Sequence, residues 1–462
     1  MSSHTYRKRR GIELFLCAIA WVIGVGSYLL IHLNRDGLIP PSAWAIGAIW
    51  ALLCLGVHFI VSFTLPYADP IIVPCVLLLN GVGLAMIHRL DLGNEPLTSA
   101  ATNQMIWTLL GVAIFAALSI WIRDYRRLQG LSYLLFIVGM ILLLLPMIPG
   151  LASPNNGANG SQIWIQIAGY SFQPAEVAKI ILSLAFASYL TENRELLQLA
   201  GRRIAGVHLP RLRDLVPILI MWCAALMVLV FQNDLGTSLL FFGLFVMMLY
   251  VATNQIRWPA IALGLFILAA AMVETVAPHV KRRISSWLHP FSDYESNYQI
   301  ITAHYGMAWG GLFGRGWGQG RPGLTPVASS DFISAAIVEE LGTVTLIALV
   351  LIYLLIVMRG LSCALVCRDT FGKLLASGLS FVIALQVFAI IGGVTRLLPL
   401  TGLTTPFVSQ GGSSLIANWI VIALLMQISH QARSPLEAED LSIHGDLSAD
   451  LTQQIDSVGV RG

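Results

Sequence analysis

Apolar runs of about 20 residues, the length that crosses a hydrocarbon core, recur at roughly 11–33, 41–62, 69–88, 103–122, 129–149, 173–191, 215–232, 235–252, 257–276, 332–358, 374–393 and 412–430. This pattern predicts an all-α polytopic integral membrane protein with about twelve transmembrane helices. The first run follows the basic stretch Arg7 to Arg10, as a secretory signal would. It is too long, and too weakly followed by a small-residue cleavage site, to be removed, and is expected to remain as an anchor. Composition agrees: of 462 residues 56% are hydrophobic and 11% charged, with a mean hydropathy of +0.77, whereas soluble domains carry roughly 25% charged residues.

Charge sets the orientation, because cytoplasmic ends of spans retain lysine and arginine. With the N-terminus inside, 18 of the 27 basic residues lie on inner segments. Eight lie outside (Arg35, Arg89, Lys281, Arg282, Arg283, Arg315, Arg321 and Arg396), and Lys179 sits within a span. Both termini are then cytoplasmic. Four unusual polar stretches, 153–179, 231–238, 277–331 and 392–414, fall on the outer side, so any chemistry is expected there. The acidic end after Arg433, with few aromatics, reads as a disordered tail.

Carboxylates within the apolar runs demand a reason, since a charge at the centre of a transmembrane helix costs roughly 2.5–3.5 kcal/mol and usually faces a bundle interior or an aqueous cavity. In LTPVASSDFISAAIVEELG (324–342), Asp331 comes first, and Glu339 and Glu340 follow about 12 Å deeper at a helical rise of about 1.5 Å per residue. On a helix, Asp331 and Glu339 are about 80° apart and Glu340 is on the opposite side. Asp331 and Glu339 are therefore expected to line one cavity, and Glu340 to bond a neighbouring helix. Asp331 also follows Ser329 and Ser330 at a helix start, where capping alone would explain an acid. Glu176 and Lys179, just after Pro174, share a face. They either neutralise one another or present Lys179, a compact point charge, to a phosphate. Asp234 opens a span as an N-cap or as a site acid.

The segment YGMAWGGLFGRGWGQG (305–320) is rich in glycine, which permits close backbone approach and turns that orient amides toward an anion. It is neither a P-loop nor a dinucleotide fingerprint, lacking the Gly-Lys-Ser/Thr end and the flanking strand and helix. A lid would look the same, but Arg315 and Arg321 within it make diphosphate contact a candidate role. The six cysteines lie in or beside spans, so no disulfide framework is indicated. The loop histidines His279, His289 and His304 match no metal spacing.

Five segments together carry a resemblance: FQPAEVAK (172–179), QNDLGTS (232–238), YQ with GGLFGRGWGQG (298–299 and 310–320), SDFISAAIVEELG (330–342) and GLTTPFVSQGGSS (402–414). In order and in side they resemble the signature segments of the SEDS proteins, the RodA, FtsW and SpoVE group, over about residues 70 to 432. The resemblance implies a peptidoglycan glycosyltransferase that polymerises lipid II in the outer leaflet beside a class B penicillin-binding transpeptidase, with no nucleic-acid partner. It implies a ten-span core at 67–432 with the outer loop 277–331, an added pair of helices in 1–66, and the tail 433–462. The segment YADPIIVPCVLLLNGVGLAMIHRLD (67–91) and the added pair look like RodA-type members of actinobacteria, which points to cell elongation; a division-type FtsW polymerase is the alternative.

Position by position, the family's essential loop aspartate matches Asp331 and its lysine after the Gln-Pro element matches Lys179. Glu176, Asp234, Glu339, Glu340 and Ser413 also occupy motif places, with Gly236, Gly411 and Gly412 as structural glycines. Asn233 replaces the family's usual proline, Ala175 its serine and Gln410 its tyrosine, and Gln162 with Ile163 stands where basic residues commonly precede Trp164. Restoring proline at 233 or tyrosine at 410 is expected to be tolerated, and the missing cation is expected to be supplied by Arg283, Arg315 or Arg396. In such a reaction an acceptor hydroxyl attacks the anomeric carbon of a polyprenyl-diphosphate sugar, which needs a general base and cations for the leaving group. Asp331 is the expected base, Glu339 lines the cavity below, and Lys179 and Arg396 offset diphosphate charge. Mg²⁺ or Mn²⁺ would suit a diphosphate, although no ligand cage is visible. A lipid II flippase and a non-catalytic scaffold are the rival readings. A flippase predicts charges through the full membrane depth, whereas the polar residues here gather at the outer end.

Overall fold

In a hydrocarbon core each apolar run must close its backbone hydrogen bonds within itself. The computed structural model describes residues 8–93, 100–122, 124–148, 150–153, 162–167, 169–194, 203–204, 207–208, 212–276 and 278–435, and the long apolar runs there are helical. In order they are α1 (Arg10–Asp36), α2 (Pro41–Thr64), α3 (Ile72–Asp91), α4 (Ala100–Trp121), α5 (Ser132–Leu144), α6 (Pro174–Glu192), α7 (Leu212–Phe231), α8 (Leu235–Thr253), α9 (Arg257–Val276), α10 (Pro278–Leu288), α11 (Tyr298–Gly310), α12 (Ile333–Val366), α13 (Thr370–Val394) and α14 (Gly412–Arg433). Among the described residues nine helices are long and apolar enough to cross a membrane, and shorter apolar helices occupy Ser132–Met147, Leu219–Phe231 and Arg257–Leu268. The chain is a mostly helical, multi-pass membrane protein. Two short antiparallel hairpins, β1 (Ile165–Ile167) with β2 (Tyr170–Phe172) and β3 (Arg203–Ile204) with β4 (Val207–His208), were not part of the all-helical expectation. The acidic tail lies, from residue 436 onward, outside the described residues, as do 154–161 of the first polar stretch.

The apolar windows of α3, α6 and α14 are 83%, 83% and 89% buried, against 33%, 39% and 28% for α1, α2 and α4. The first three are therefore enclosed by protein, and the others turn much of their surface to lipid. The α1–α3 contact uses small residues as membrane packing does: a β-carbon on Gly24 would stand 3.3 Å from the Gly81 Cα.

The predicted outer loop is largely structured. After α10 and α11 the chain returns through the glycine-rich stretch and turns into α12, which is broken at Gly342 (φ 85°, ψ 167°). Carbonyls and amides freed by that break are satisfied by the return stretch, as buried backbone groups must be. Arg315 N donates to Glu339 O (3.1 Å) and Gly316 N to Glu340 O (2.7 Å), while Thr343 N and Val344 N donate to the carbonyls of Gly311 and Leu312 (3.0 and 3.1 Å). A β-carbon at Gly314, which has φ 79°, would fall 2.2 Å from Glu340 O, so only glycine fits there.

The two adjacent intramembrane acids bind this return stretch. Glu340 is fully buried; its Oε1 accepts from Arg89 Nε of α3 at 2.8 Å and its Oε2 from Gly318 N at 3.0 Å. Arg89 Nη2 in turn donates to Gly320 O at 2.9 Å. Glu339 Oε1 accepts from Arg321 N at 2.5 Å. Removing one partner of a buried pair leaves an uncompensated charge, at a cost of about 3–5 kcal/mol. Arg89→Met should therefore lower stability by about that amount, and Arg89→Met/Glu340→Gln should recover part of it. Thermal unfolding in detergent tests this, and an Arg89→Met protein that melts like the wild type would show that the pair does not hold the fold.

Candidate active site

A cavity of about 1010 Å³ opens at the end of the bundle where α6, α8 and α11 begin and α13 ends. Helix starts present unpaired amides and the positive end of the helix dipole, so the mouth favours anions even before side chains are counted. Pro174 at the first position of α6 suits a helix start and puts Gln173 and Glu176 on the cavity wall. At the start of α8, Asp234 is the N-cap: its Oδ1 accepts from Thr237 N at 2.9 Å, and its Oδ2 accepts from Gln173 Nε2 at 3.4 Å. From the chain between α11 and α12 come Ser330 and Asp331, and from the chain between α13 and α14 come Arg396, Thr401 and Thr404.

Arg283 of α10 stands between the acids. Its Nη1 donates to the carbonyls of Leu400 and Thr401, each at 3.4 Å. Burial pushes its pKa down while Asp234 and Asp331 pull it up. Burial also pushes the Asp331 carboxyl above the usual range, opposed by a hydrogen bond from Ser330 and by the charge of Arg283. Asp234 is likewise pushed up by burial, opposed mainly by the Thr237 amide.

Arg396 and Trp287 clasp one another: Arg396 Nη2 donates to Trp287 O at 3.0 Å and Trp287 Nε1 to Arg396 O at 2.9 Å. Arg396 has φ 62°, and its buried Nε has no hydrogen-bond partner among the described residues. The guanidinium lines the cavity, where a cation suits an anionic ligand. Among the described residues no three His, Cys, Asp or Glu side chains converge to hold a metal ion.

The structure brings Glu176, Asp234, Asp331 and Arg396 to the cavity, and places the other predicted site residues elsewhere. Lys179 is buried below the floor, with Nζ 2.7 Å from Glu176 Oε2 and 3.2 Å from Gln386 Oε1. Gln386 Nε2 reaches Thr404 O at 2.8 Å, so this ion pair supports the cavity wall. Glu339 does not share the cavity with Asp331. A rotation of about 80° between them holds only along one continuous helix, but α12 starts at Ile333 with Phe332 at its N-cap and no side-chain cap. Asp331 sits in the preceding turn, past Val327 with its φ of 57°, so it is not the N-cap either. Glu339 instead faces Gly306 of α11, where a β-carbon would meet its Oε2 at 2.6 Å. Arg315 is exposed and bound to its own hairpin, with Nε 2.8 Å from Trp309 O and the guanidinium 3.8 Å from the Trp309 ring centroid.

Ser413 is buried in the first turn of α14 and does not line the cavity. Gly236 packs against the Thr401 carbonyl, and Gly411 and Gly412 against Thr404 and Trp107, which lets the chain between α13 and α14 lie close to α8 and α4. Asn233 lines the cavity with φ 58°, a left-handed conformation open to asparagine and closed to proline, whose φ is fixed near −65°. The expectation that proline would be tolerated there is therefore wrong. Trp287 and Gln173 were not singled out from the sequence. Trp287 was readable, because it lies four residues after Arg283 and so shares its helical face.

A family profile described as cell cycle protein, FtsW/RodA/SpoVE, matches residues 70–434. The chain is similar to the peptidoglycan glycosyltransferase RodA of Mycobacterium tuberculosis, 44% identical over 434 residues that cover 93% of this chain and 92% of that protein. It is similar to the same-named protein of Mycobacterium leprae, 42% identical over 435 residues with 93% and 92% coverage. The crystal structure of the rod shape determining protein RodA of Thermus thermophilus matches with a TM-score of 0.57 at 25% identity, over 80% of this chain and 98% of that one.

Because Arg283 is the charge that opposes the upward shift of Asp331, Arg283→Gln should raise the Asp331 pKa further. Titration of a ¹³C-labelled aspartate carboxyl, assigned with Asp331→Asn, measures this. An unchanged or lowered value would show that the two groups do not interact.

Proposed function

Since the chain belongs to the FtsW/RodA/SpoVE family of cell cycle proteins, we propose that it is a peptidoglycan glycosyltransferase that polymerises lipid II in the cavity between α6, α8, α10 and α11. The observation that carries this reading is the pairing, in one cavity, of a carboxylate of raised proton affinity, Asp331, with the cations Arg283 and Arg396. An acceptor sugar hydroxyl gives its proton to Asp331 as its oxygen bonds to the anomeric carbon of the donor. The bond from that carbon to the diphosphate breaks, and the diphosphate leaves with the electron pair. Asp331 is a better base for being pushed toward neutral pH. Arg283, Arg396 and the starts of α6 and α8 meet the charge that develops on the leaving group.

Lys179 acts from below, by holding Glu176 and Gln386 against the wall that includes Thr404. The polyprenyl tail stays in the bilayer while the reacting sugar stands at its outer surface, which is why the cavity lies at the ends of spans. Residues 67–432 form the polymerising core, and a class B penicillin-binding transpeptidase is the partner that crosslinks its product. The rod-shape name of the Thermus protein favours a role in cell elongation.

Fluorescent lipid II supplied to the purified chain, with product glycan resolved by length, tests the reaction. Asp331→Asn should reduce polymerisation by roughly 10²–10⁴, the usual contribution of a positioned base. Its thermal midpoint should hold, since Asp331 caps no helix. Near-wild-type polymerisation by Asp331→Asn would sink the assignment.

Lys179→Met should abolish most activity by leaving Glu176 unpaired, whereas Lys179→Met/Glu176→Gln, which removes both charges, should regain much of it. If the double variant stays as inactive as the single one, the ammonium itself is needed by the substrate.

A further inference from the structure

The segment from α11 to α12 is a hairpin with both ends on the cavity. Ser296, Asn297, Gln299 and Ile300 line it on the way in, Ser330 and Asp331 on the way out, and the tip is the glycine-rich return stretch. Three elements grip that tip. Two belong to the region matched by the family profile: α12, through Glu339 and Glu340, and α3, through Arg89. The third is α1, which lies wholly before residue 70, where that match begins.

The outer turn of α1 fits the tip closely. Asn34 Nδ2 donates to Trp317 O at 2.9 Å, and Gln319 Nε2 donates to Asn34 O at 3.1 Å. A β-carbon on Gly318 would stand 3.3 Å from Ile31 O and 3.7 Å from the Asn34 Cβ. The same turn is fixed to α3, with His32 Nε2 3.1 Å from His88 Nε2 and Tyr28 stacked on His88 at 4.3 Å.

Taken with the glycosyltransferase reading above, we propose that α1 positions Asp331 for reaction by holding the tip of this hairpin, with Asn34 and Gln319 as the positioning residues. Fixing the tip of a hairpin restricts how far its two ends, here the first turn of α11 and the Ser330–Asp331 turn, can shift with it. The two cavity cations are on α10 and on the chain after α13, outside the hairpin. Loosening the tip should therefore misplace the base while leaving the cations where they are. A misplacement of about 1 Å can cost a large factor in rate with no change at the reacting groups.

The test is Asn34→Ala/Gln319→Ala in the full-length protein, measured with lipid II and by hydrogen exchange of the Gly316–Arg321 amides. We expect kcat to fall about tenfold, the scale of one or two lost hydrogen bonds, with KM for lipid II unchanged and faster exchange at the tip. Asn34→Cys/Gly318→Cys supplies the internal control, because the two β-carbons would be 3.7 Å apart, close to the disulfide mean of about 3.8 Å, and the strain of a cysteine at the φ of 79° of Gly318 is common to its oxidised and reduced forms. The oxidised form of that variant should turn over several-fold faster than the same preparation after reduction, a toggle that a loss of folded protein would not give. Wild-type kcat in Asn34→Ala/Gln319→Ala, whatever its tip exchange, or equal rates in the oxidised and reduced cysteine variant, would overturn the proposal. Wild-type protein that makes no glycan from lipid II would instead overturn the glycosyltransferase reading, and the exchange rates would then report on the grip alone.

Discussion

The contact between Arg89 and Glu340 is the constraint on which the rest depends. An unpaired carboxylate of this depth would be expelled from the membrane or neutralised. The guanidinium meets it at 2.8 Å and the Gly318 amide at 3.0 Å, so the acid keeps its place by binding a segment of backbone. That segment has to descend beside α12 to be bound. The descent requires glycine at Gly310 and Gly314, where a β-carbon would fall 2.2 Å from a carbonyl oxygen of α12. It also requires the break at Gly342, whose flanking amides and carbonyls bond the descending chain. Two glutamates, one arginine and a set of glycines thus form one mechanical unit.

What this unit does follows from where its ends emerge. Both ends of the hairpin it anchors reach the cavity, one at the start of α11 and one at Asp331. The opposite wall is built differently. There Arg283 and Arg396 are held by backbone carbonyls of Leu400, Thr401 and Trp287, and Lys179 and Glu176 support the floor through Gln386. Acid and cations therefore belong to separate supports. Each can be precise without the two sets collapsing onto one another, as they would if Asp331 were free to pair fully with Arg283.

Much of the fold was legible because membrane helices announce themselves by length and hydropathy alone, and the described apolar helices sit on the predicted runs. The site was legible to the extent that it sits at helix starts. Asp234 and Glu176 follow directly from the N-cap and proline-first rules, and both are on the cavity wall. The errors came where helical geometry was extended past a helix end. Asp331 and Glu339 share no cavity because residues 327–332 turn before α12 begins. Lys179 was expected either to neutralise Glu176 or to meet a phosphate, because periodicity gives its face but not what packs there, which is Gln386 beside Glu176. Arg315 pointed to diphosphate by composition, yet its guanidinium is occupied by Trp309, six residues earlier in the same hairpin, a contact that only the tertiary fold of the glycine stretch decides.

The acids of this chain differ in how completely the fold satisfies them, and that difference separates structure from chemistry. Glu340 has a guanidinium and an amide, Glu176 an ammonium, and Asp234 an amide and a carboxamide. The oxygens of these carboxylates are engaged by the fold itself. Asp331 is half-buried, open to the cavity, and opposed only by a neighbouring hydroxyl and by Arg283. Asp234 and Glu176 on the same wall have their oxygens bonded to Gln173, Thr237 and Lys179, whereas burial raises the proton affinity of Asp331 against only that hydroxyl and that guanidinium. An acid left short of partners has the form of the general base proposed for this reaction, and its burial within the protein supplies the low dielectric that makes the shortage count.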